Sequence, residues 1–469
     1  MYDAIIIGAG MSGLAAGIRL AHYEKRVCIL ERHTTIGGLN SFYRQRGRNY
    51  DVGLHAVTNY TPKGAKKGPL ARLLRQLRFS WDDFALKQQL GSAIAFPSAR
   101  LEFTNDADVL RSEVARAFPK EIDNFDRLIA SIPDFDSLVL ETADASAREF
   151  VARIIGDPLL VEMIFCPLMY YGSARENDMD LAQFFIMFRS IFLEGFARPP
   201  EGIRPILKLL TRRFKELGGE LKLRAGVKRI VHENGTAVGV ELDDGTQLEG
   251  RQILSSAGYV ETMRLCDHAE PAAAGEAGRL SFIETMSALD RSPRELGCDK
   301  TIIFFSTDDK FHWRRPDGLV DLRSGVLCVP DNFRYDEGGP GTPGGASGEN
   351  LVRMTALADF DGWNKLSREE YLREKERWFA ALGEVSRRFL PDIRSHTIET
   401  DMFTPTTVVR YTWHDRGAIY GAPKKRYDGM TFLPNLFLCG TDQGFVGIIG
   451  SLVSGISMAN RHMLQTPAL

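Results

Sequence analysis

The residues most able to do chemistry stand at the start of the chain. Gly8-Ala9-Gly10-Met11-Ser12-Gly13 is a G-x-G-x-x-G run, and Glu31 follows Gly10 by 21 positions. In such a run the first glycine permits a tight turn off a strand, the second lets the backbone approach a pyrophosphate, and the third lets a helix pack closely on the strand. The helix N-terminus then offers free N–H groups and partial positive charge to the phosphates, with Ser12 among the contacts. A carboxylate at Glu31 can hold both hydroxyls of an adenosine ribose and would repel a 2′-phosphate, which disfavours NADP. Arg32 stands beside it, and a second glycine pair, Gly37-Gly38, comes six residues after Glu31. A ligand-free strand–helix turn is the plainer reading of the first run, and an ordinary loop is the plainer reading of the pair.

These residues need particular elements to position them. Asp3–Ile7 reads as a buried strand, Leu14–Tyr23 as a helix and Arg26–Leu30 as a second strand, which makes a βαβ unit of about 30 residues. Residues 62–200 read as mostly helical, including Pro69–Arg78, Asp106–Phe118 and the apolar stretch Leu159–Met169. An amphipathic helix over 202–217 stops at Gly218-Gly219. Short strands are expected at Glu220–Leu223, Arg229–Glu233, Ala237–Leu242, Gln252–Ser255, Thr301–Ser306 and Gly325–Val329, with a hairpin turn at Asp243-Asp244-Gly245-Thr246. Residues 338–349 read as a flexible Gly/Pro loop. Within it Gly339–Gly344 matches G-x-G-x-x-G as text, but no strand leads in and its prolines withhold N–H groups, so it is given no phosphate role.

Composition bounds the function. The chain has 469 residues with 59 Lys+Arg against 61 Asp+Glu, a net charge of −2, which argues against a nucleic-acid binder driven by phosphate neutralisation. Six cysteines without C-x-x-C and nine histidines without H-E-x-x-H argue against a disulfide framework or a locally spaced zinc site, so no metal is expected. No signal peptide and no apolar run of about 18 residues is seen, so the expected location is cytoplasmic, with peripheral contact at a membrane kept open.

The glycine pair after Glu31 resembles the two-dinucleotide-binding signature of FAD-dependent flavoproteins of the glutathione-reductase and amine-oxidase type. The usual basic residue soon after the pair is missing: Leu39-Asn40 stand there, and the first Arg is Arg44. Tyr50-Asp51-Val52-Gly53-Leu54-His55 resembles the (F/Y)-D-x-G-x-H segment of the retinol saturase and carotenoid isomerase branch of the phytoene-desaturase-like flavoproteins. Thr404-Pro405-Thr406-Thr407 with Gly417-Ala418-Ile419-Tyr420-Gly421 resembles that branch's TPxT…GxxYG. Asn435–Leu438, Gly440-Thr441-Asp442, Gly447-Ile448-Ile449-Gly450-Ser451 and Ser454-Gly455 resemble its closing motif.

The resemblance implies an α/β fold: a Rossmann-type FAD-binding domain, glutathione-reductase/amine-oxidase-like, from residues 1–60, 200–285 and 430–469, with a discontinuous α+β substrate domain from 61–199 and 286–429. It implies FAD contacts at Gly8, Gly10, Ser12, Gly13, Glu31, Arg32, Gly37, Gly38, Leu39, Asn40, His55, Val227, Ala257, Gly440, Asp442, Gly447, Ile449, Gly450 and Ser451. A helix over 449–463, beginning near Gly450, would turn its N–H groups to the pyrimidine edge of the flavin.

The implied activity is FAD-dependent desaturation, saturation or cis–trans isomerisation at a carbon–carbon bond of a hydrophobic polyene or isoprenoid. The electron acceptor is left open among a quinone, oxygen and a diffusible reductant system. His55 is the candidate proton shuttle, and Tyr420 the candidate aromatic wall or proton donor, each with a packing role as the plainer reading. His414 and Asp415 are expected to cap a loop. Phe184, Phe188, Ile191, Phe192 and Phe196 fall at helical spacing, and with Met163, Ile164, Phe165, Met169, Tyr170 and Tyr171 they form either a buried core or a substrate tunnel; Phe184, Phe188, Phe192, Met169 and Tyr170 are the substrate candidates. Two other functions stay open: an amine-oxidase-type enzyme releasing hydrogen peroxide, and a non-catalytic carrier of FAD and lipid.

Overall fold

The structure is a computed structural model that describes residues 1–133, 145–266, 276–335 and 348–465. The Gly/Pro run expected over 338–349 lies outside these, apart from its last two residues. The strand Tyr2–Ile7 sits at the centre of a mainly parallel sheet, and its run Ala4–Ile7 is apolar and buried, because a strand covered on both faces can carry an unbroken apolar run. Val27–Leu30 pairs with it on one side, with Glu220–Lys222 beyond. Gln247–Ser255 pairs on the other side. That strand is long enough to serve two partners. Its first half pairs antiparallel with Thr236–Leu242, which hairpins to Val227–Glu233, and its second half pairs parallel with Leu436–Leu438.

Helices Met11–Ala21, Arg204–Glu216 and Gly447–Met458 bury their apolar sides under this sheet in one core, which also takes in Pro69–Leu77. The first and last of these helices touch backbone to backbone at Gly455. A Cβ placed on Gly455 would stand 2.0 Å from the Ser12 carbonyl oxygen.

The second sheet runs in the order Thr397–Phe403, Ser281–Leu289, Leu351–Ala358, Val320–Cys328, Ile302–Ser306, Ser92–Ala95, Arg100–Phe103. It is antiparallel except where Ile302–Ser306 meets Ser92–Ala95. Helices Pro158–Gly172 and Leu181–Phe188 pack into one core with this sheet, and Arg368–Ser386 packs into another. The strands of residues 92–103 depart from the expected mostly helical stretch. They are four residues each, too short for periodicity to separate a strand from a buried helical turn. Ser281–Leu289 runs wholly in the second sheet, across residue 285 where the expected domain division passes. We propose that the substrate-binding unit begins at Ser281, with Pro69–Leu77 counted with the FAD-binding unit whose core it shares.

The Gly455 contact is backbone against backbone, so no rotamer change relieves it. Gly455→Ala should lower stability by about 1–3 kcal/mol, read as a lower urea midpoint at unchanged slope.

Candidate flavin and substrate cleft

The carboxyl ends of the parallel strands open into a cleft of about 1380 Å³, including its open mouth. Gly10, Met11 and Ser12 from the first turn line it together with Gly440, Thr441, Gly447, Ile448 and Ser451 from the last. Segments more than four hundred residues apart therefore face one space, at the place where open α/β sheets bind ligands. Gly10 faces open space: a Cβ built there meets nothing within 4 Å of protein, and Gly10 lies on the wall. Gly13 is tight instead, with the Gly8 carbonyl 2.1 Å from where its Cβ would be. Gly37 forms a bridge to Gly10, donating its N–H to the Ala9 carbonyl at 2.9 Å, and Gly37, Gly38, Leu39 and Asn40 continue the wall.

Glu31 follows the second strand. Its carboxylate accepts the Ala9 and His33 N–H groups, each at 2.9 Å, which fixes it beside the glycine turn. Arg32 donates to the Val227 carbonyl at 2.9 Å and lies 4.3 Å from the centroid of the Trp413 ring. Val227 is thus tied to the segment that carries Glu31, and its own side chain is buried in the core of that sheet. Ala257 follows Ser256, whose hydroxyl donates to the Ile7 carbonyl at 2.9 Å and whose residue lines the cleft. A room of this shape, walled by glycine backbone and bordered by a fixed carboxylate, fits a dinucleotide.

Several candidates sit elsewhere than expected. Asp442 is not on the wall. It is 3% exposed, and its two oxygens accept the N–H groups of Ala422 at 2.7 Å and Tyr259 at 2.6 Å, so it ties two loops behind the cleft. The last helix begins at Gly447, and its pitch turns Gly447, Ile448 and Ser451 to the cleft while Ile449 points into the core; Gly450 packs against Phe445. Phe184, Phe188, Phe192 and Met169 are core residues, because their faces are taken by other apolar groups such as Phe165, Phe125 and Phe103. From that region only Tyr170, Tyr171 and Met187 reach the cleft among the described residues. His414 makes no capping bond with its side chain and lines the cleft, while Asp415 pairs with Arg264 at 2.8 Å.

The floor of the cleft comes from the second sheet, and no sequence motif announced it. Phe403, Glu284, Thr355 and Val326 are consecutive cross-strand partners on four strands, and all four line the cleft. Alternation puts Phe282 on the same face as Glu284. His55 Nε2 stands 3.2 Å from Glu284 Oε2, and Thr355 donates to that same oxygen at 3.3 Å. The buried Arg353 guanidinium binds the other oxygen of Glu284 and also donates to the carbonyls of Leu54 at 2.8 Å and Val52 at 2.6 Å. Burial alone would raise the Glu284 carboxyl, but Arg353 and His55 hold it below its ordinary value. The Tyr420 hydroxyl donates to the Tyr170 carbonyl, burial pushes its pKa well up and keeps it protonated, and the residue lines the cleft. A short signal for this floor does exist in the sequence: polar Glu284, Thr285 and Ser287 within a nine-residue strand whose other residues, apart from Ser281, are apolar.

Two outcomes follow. Gly10→Val should leave the melting temperature nearly unchanged, because protein leaves room for the side chain, yet should abolish dinucleotide binding, as measured by retained cofactor absorbance. Lys425, which donates to the Tyr420 carbonyl at 2.5 Å and sits 3.8 Å from Asp442, has its pKa lowered to about 8 by burial, with Asp442 opposing. Between about 8 and the unfolded value of 10.5 the unfolded chain binds more protons, so this group makes stability rise with pH there. Urea titrations across that window should show the rise in the parent and lose it in Lys425→Met.

Among curated proteins the chain is 23% identical to a prolycopene isomerase of Daucus carota over 98% of this chain and 80% of the relative. It is 23% identical to an all-trans-retinol 13,14-reductase of Danio rerio, covering 98% and 86%. Among solved structures, an oxidoreductase from Methanosarcina mazei superposes with a TM-score of 0.66 at 16% identity, over 97% of this chain and 99% of that one, which shows a shared fold. Residues 11–462 match the model of the flavin containing amine oxidoreductases, so the chain belongs to that family of oxidoreductases, and its cofactor is FAD.

Proposed function

We propose that the chain acts on a carbon–carbon bond of a hydrophobic polyene or isoprenoid, by desaturation, saturation or cis–trans isomerisation. One observation carries the reading. Among the described residues of the cleft wall, Glu284 is the single carboxylate, and it is already paired with Arg353 and His55. No free carboxylate is left there to hold an ammonium group. Beside that carboxylate the lining includes the apolar or aromatic residues Tyr171, Met187, Phe282, Ile419 and Tyr420. Such a surface suits a long unsaturated chain and keeps water away from it. The names of the two relatives, which concern prolycopene and all-trans-retinol, support the same class. Peripheral contact with a membrane belongs to the proposal, since a polyene partitions into lipid; among the described residues no helix is long and apolar enough to cross one.

Bound FAD supplies hydride or electron transfer at its isoalloxazine ring. The chain supplies position and a proton. We read Gly10, Gly37-Gly38, Glu31, Gly440 and Ser451 as holding the cofactor, and Tyr420 and Phe282, whose rings meet edge to face at 6.1 Å, as walls for the substrate. The ionised Glu284 accepts from His55 Nε2–H, which assigns the proton of the neutral ring to Nε2 and leaves Nδ1 as acceptor. His55 is therefore the wall residue placed to take or return a proton.

Oxidised and reduced holoenzyme, incubated without oxygen with carotenoids, retinoids and linear isoprenoids, should convert at least one of them to a product resolved by chromatography. His55→Asn should keep its flavin and lose about 10²-fold or more in turnover. No conversion of any polyene, together with rapid flavin bleaching by amines and peroxide release on aeration, would overturn the proposal in favour of amine oxidation.

A further inference from the structure

The pyrophosphate of FAD brings negative charge into the cleft, and the described wall carries no Lys or Arg to meet it. Leu39-Asn40 follow the second glycine pair, and Arg44 further on is exposed and off the wall. The groups on the wall that can become cations are two histidines, His55 and His414. His55 belongs to the floor, bound to Glu284. His414 comes from a different direction. It follows the helix Pro405–Thr412, which packs over the turn Gly38–Asn40, so it arrives from above the glycine pair.

Its partner is placed by the parallel sheet. Glu261 lies in the helix Tyr259–Leu265, which starts immediately after Gly258, where the strand Gln247–Ser255 ends beside the first strand. Ser256, between them, bonds back to the carbonyls of Ile7 and Gly8 in the glycine turn. His414 Nδ1 is 3.6 Å from Glu261 Oε1, both side chains are largely buried, and the imidazole also borders the cleft.

We propose that His414, held as an imidazolium by Glu261, binds the pyrophosphate of FAD and supplies from the C-terminal part of the chain the positive charge that the Gly37-Gly38 loop lacks. The surroundings favour the charged ring. Burial by itself lowers its pKa and Lys425 does so too, but Glu261 and Asp442 raise it, with a net rise above the ordinary value. Asp415, next along the chain, is engaged by Arg264 and Arg416. A bound phosphate oxygen would add a charge-assisted hydrogen bond, and such bonds are roughly twice as strong as neutral ones.

The test is FAD affinity of the apoprotein, followed by quenching of flavin fluorescence from pH 6 to 9, for the parent, His414→Gln and His414→Lys. Parent affinity should fall as pH rises through the titration of the imidazolium. His414→Gln should bind about tenfold or more weakly at the acid end and show little dependence on pH. His414→Lys should bind tightly with a flat profile. Equal loss in the Gln and Lys variants would make His414 a packing residue and overturn the proposal, as would a Gln variant within twofold of the parent with the same slope. Should the Gln variant fail to fold by thermal melt, the Lys variant decides alone: a flat profile supports the proposal, and the parent's slope refutes it. The readout is cofactor affinity, so it stands or falls independently of which substrate the enzyme turns over.

Discussion

The first and last helices of the chain touch through backbone, and the cleft depends on that contact. Ser12 lies in the first turn of one helix and Gly455 lies within the other, with no room for a side chain at that contact. Packing at this distance fixes how far the turn at Gly10 stands from the turn at Gly440, whose own Cβ position would lie 2.9 Å from the Ser12 hydroxyl. A cofactor that must be gripped at both ends needs that spacing to be set before it arrives. Small residues at a helix contact set it more rigidly than interlocked side chains do, since backbone has no rotamers to exchange.

The segment Tyr50–His55 has a mechanical meaning in this setting. Asp51 is buried and paired with Arg198 at 2.7 Å, and Arg198 reaches Glu349 as well. Val52 and Leu54 give their carbonyls to Arg353, and His55 meets Glu284. One short stretch is thus held by two buried guanidinium groups, Arg353 in the second sheet and Arg198 in the short strand Ala197–Arg198 outside it. Buried ion pairs bring little net stability, because desolvation offsets most of the attraction, but breaking one partner is costly. Their effect here is geometric. They hold a strand-end of the FAD-binding side at a fixed position over the floor built by Phe403, Glu284, Thr355 and Val326.

How far the residues alone could be read follows from how local each feature is. The βαβ unit was legible because its glycines, apolar strand and acidic residue lie within 31 positions and each acts through its immediate neighbours. The aromatic series Phe184, Phe188, Phe192 was legible as a helical face, yet a face does not say whether it meets a cavity or other side chains; Phe103, Phe125 and Phe165 decide that, and they come from other elements. Asp442 had the right type and place for a ligand contact, but its oxygens are claimed by amides from two distant loops. The starting point of the last helix, two residues before Ile449, changed which of its residues face the cleft, because each position turns the helix by about 100°.

By itself the order of residues determined the glycine turn, the carboxylate at Glu31 beside it, the family and the cofactor, since these rest on short-range stereochemistry: glycine where a Cβ would collide or fill the cleft, and a carboxylate one strand away. Only the tertiary structure decided the substrate side. Glu284 and Thr355 meet His55 across 229 and 300 positions, and Arg353 meets the Leu54 carbonyl across 299, and strand register between such distant segments is a product of the whole packed core.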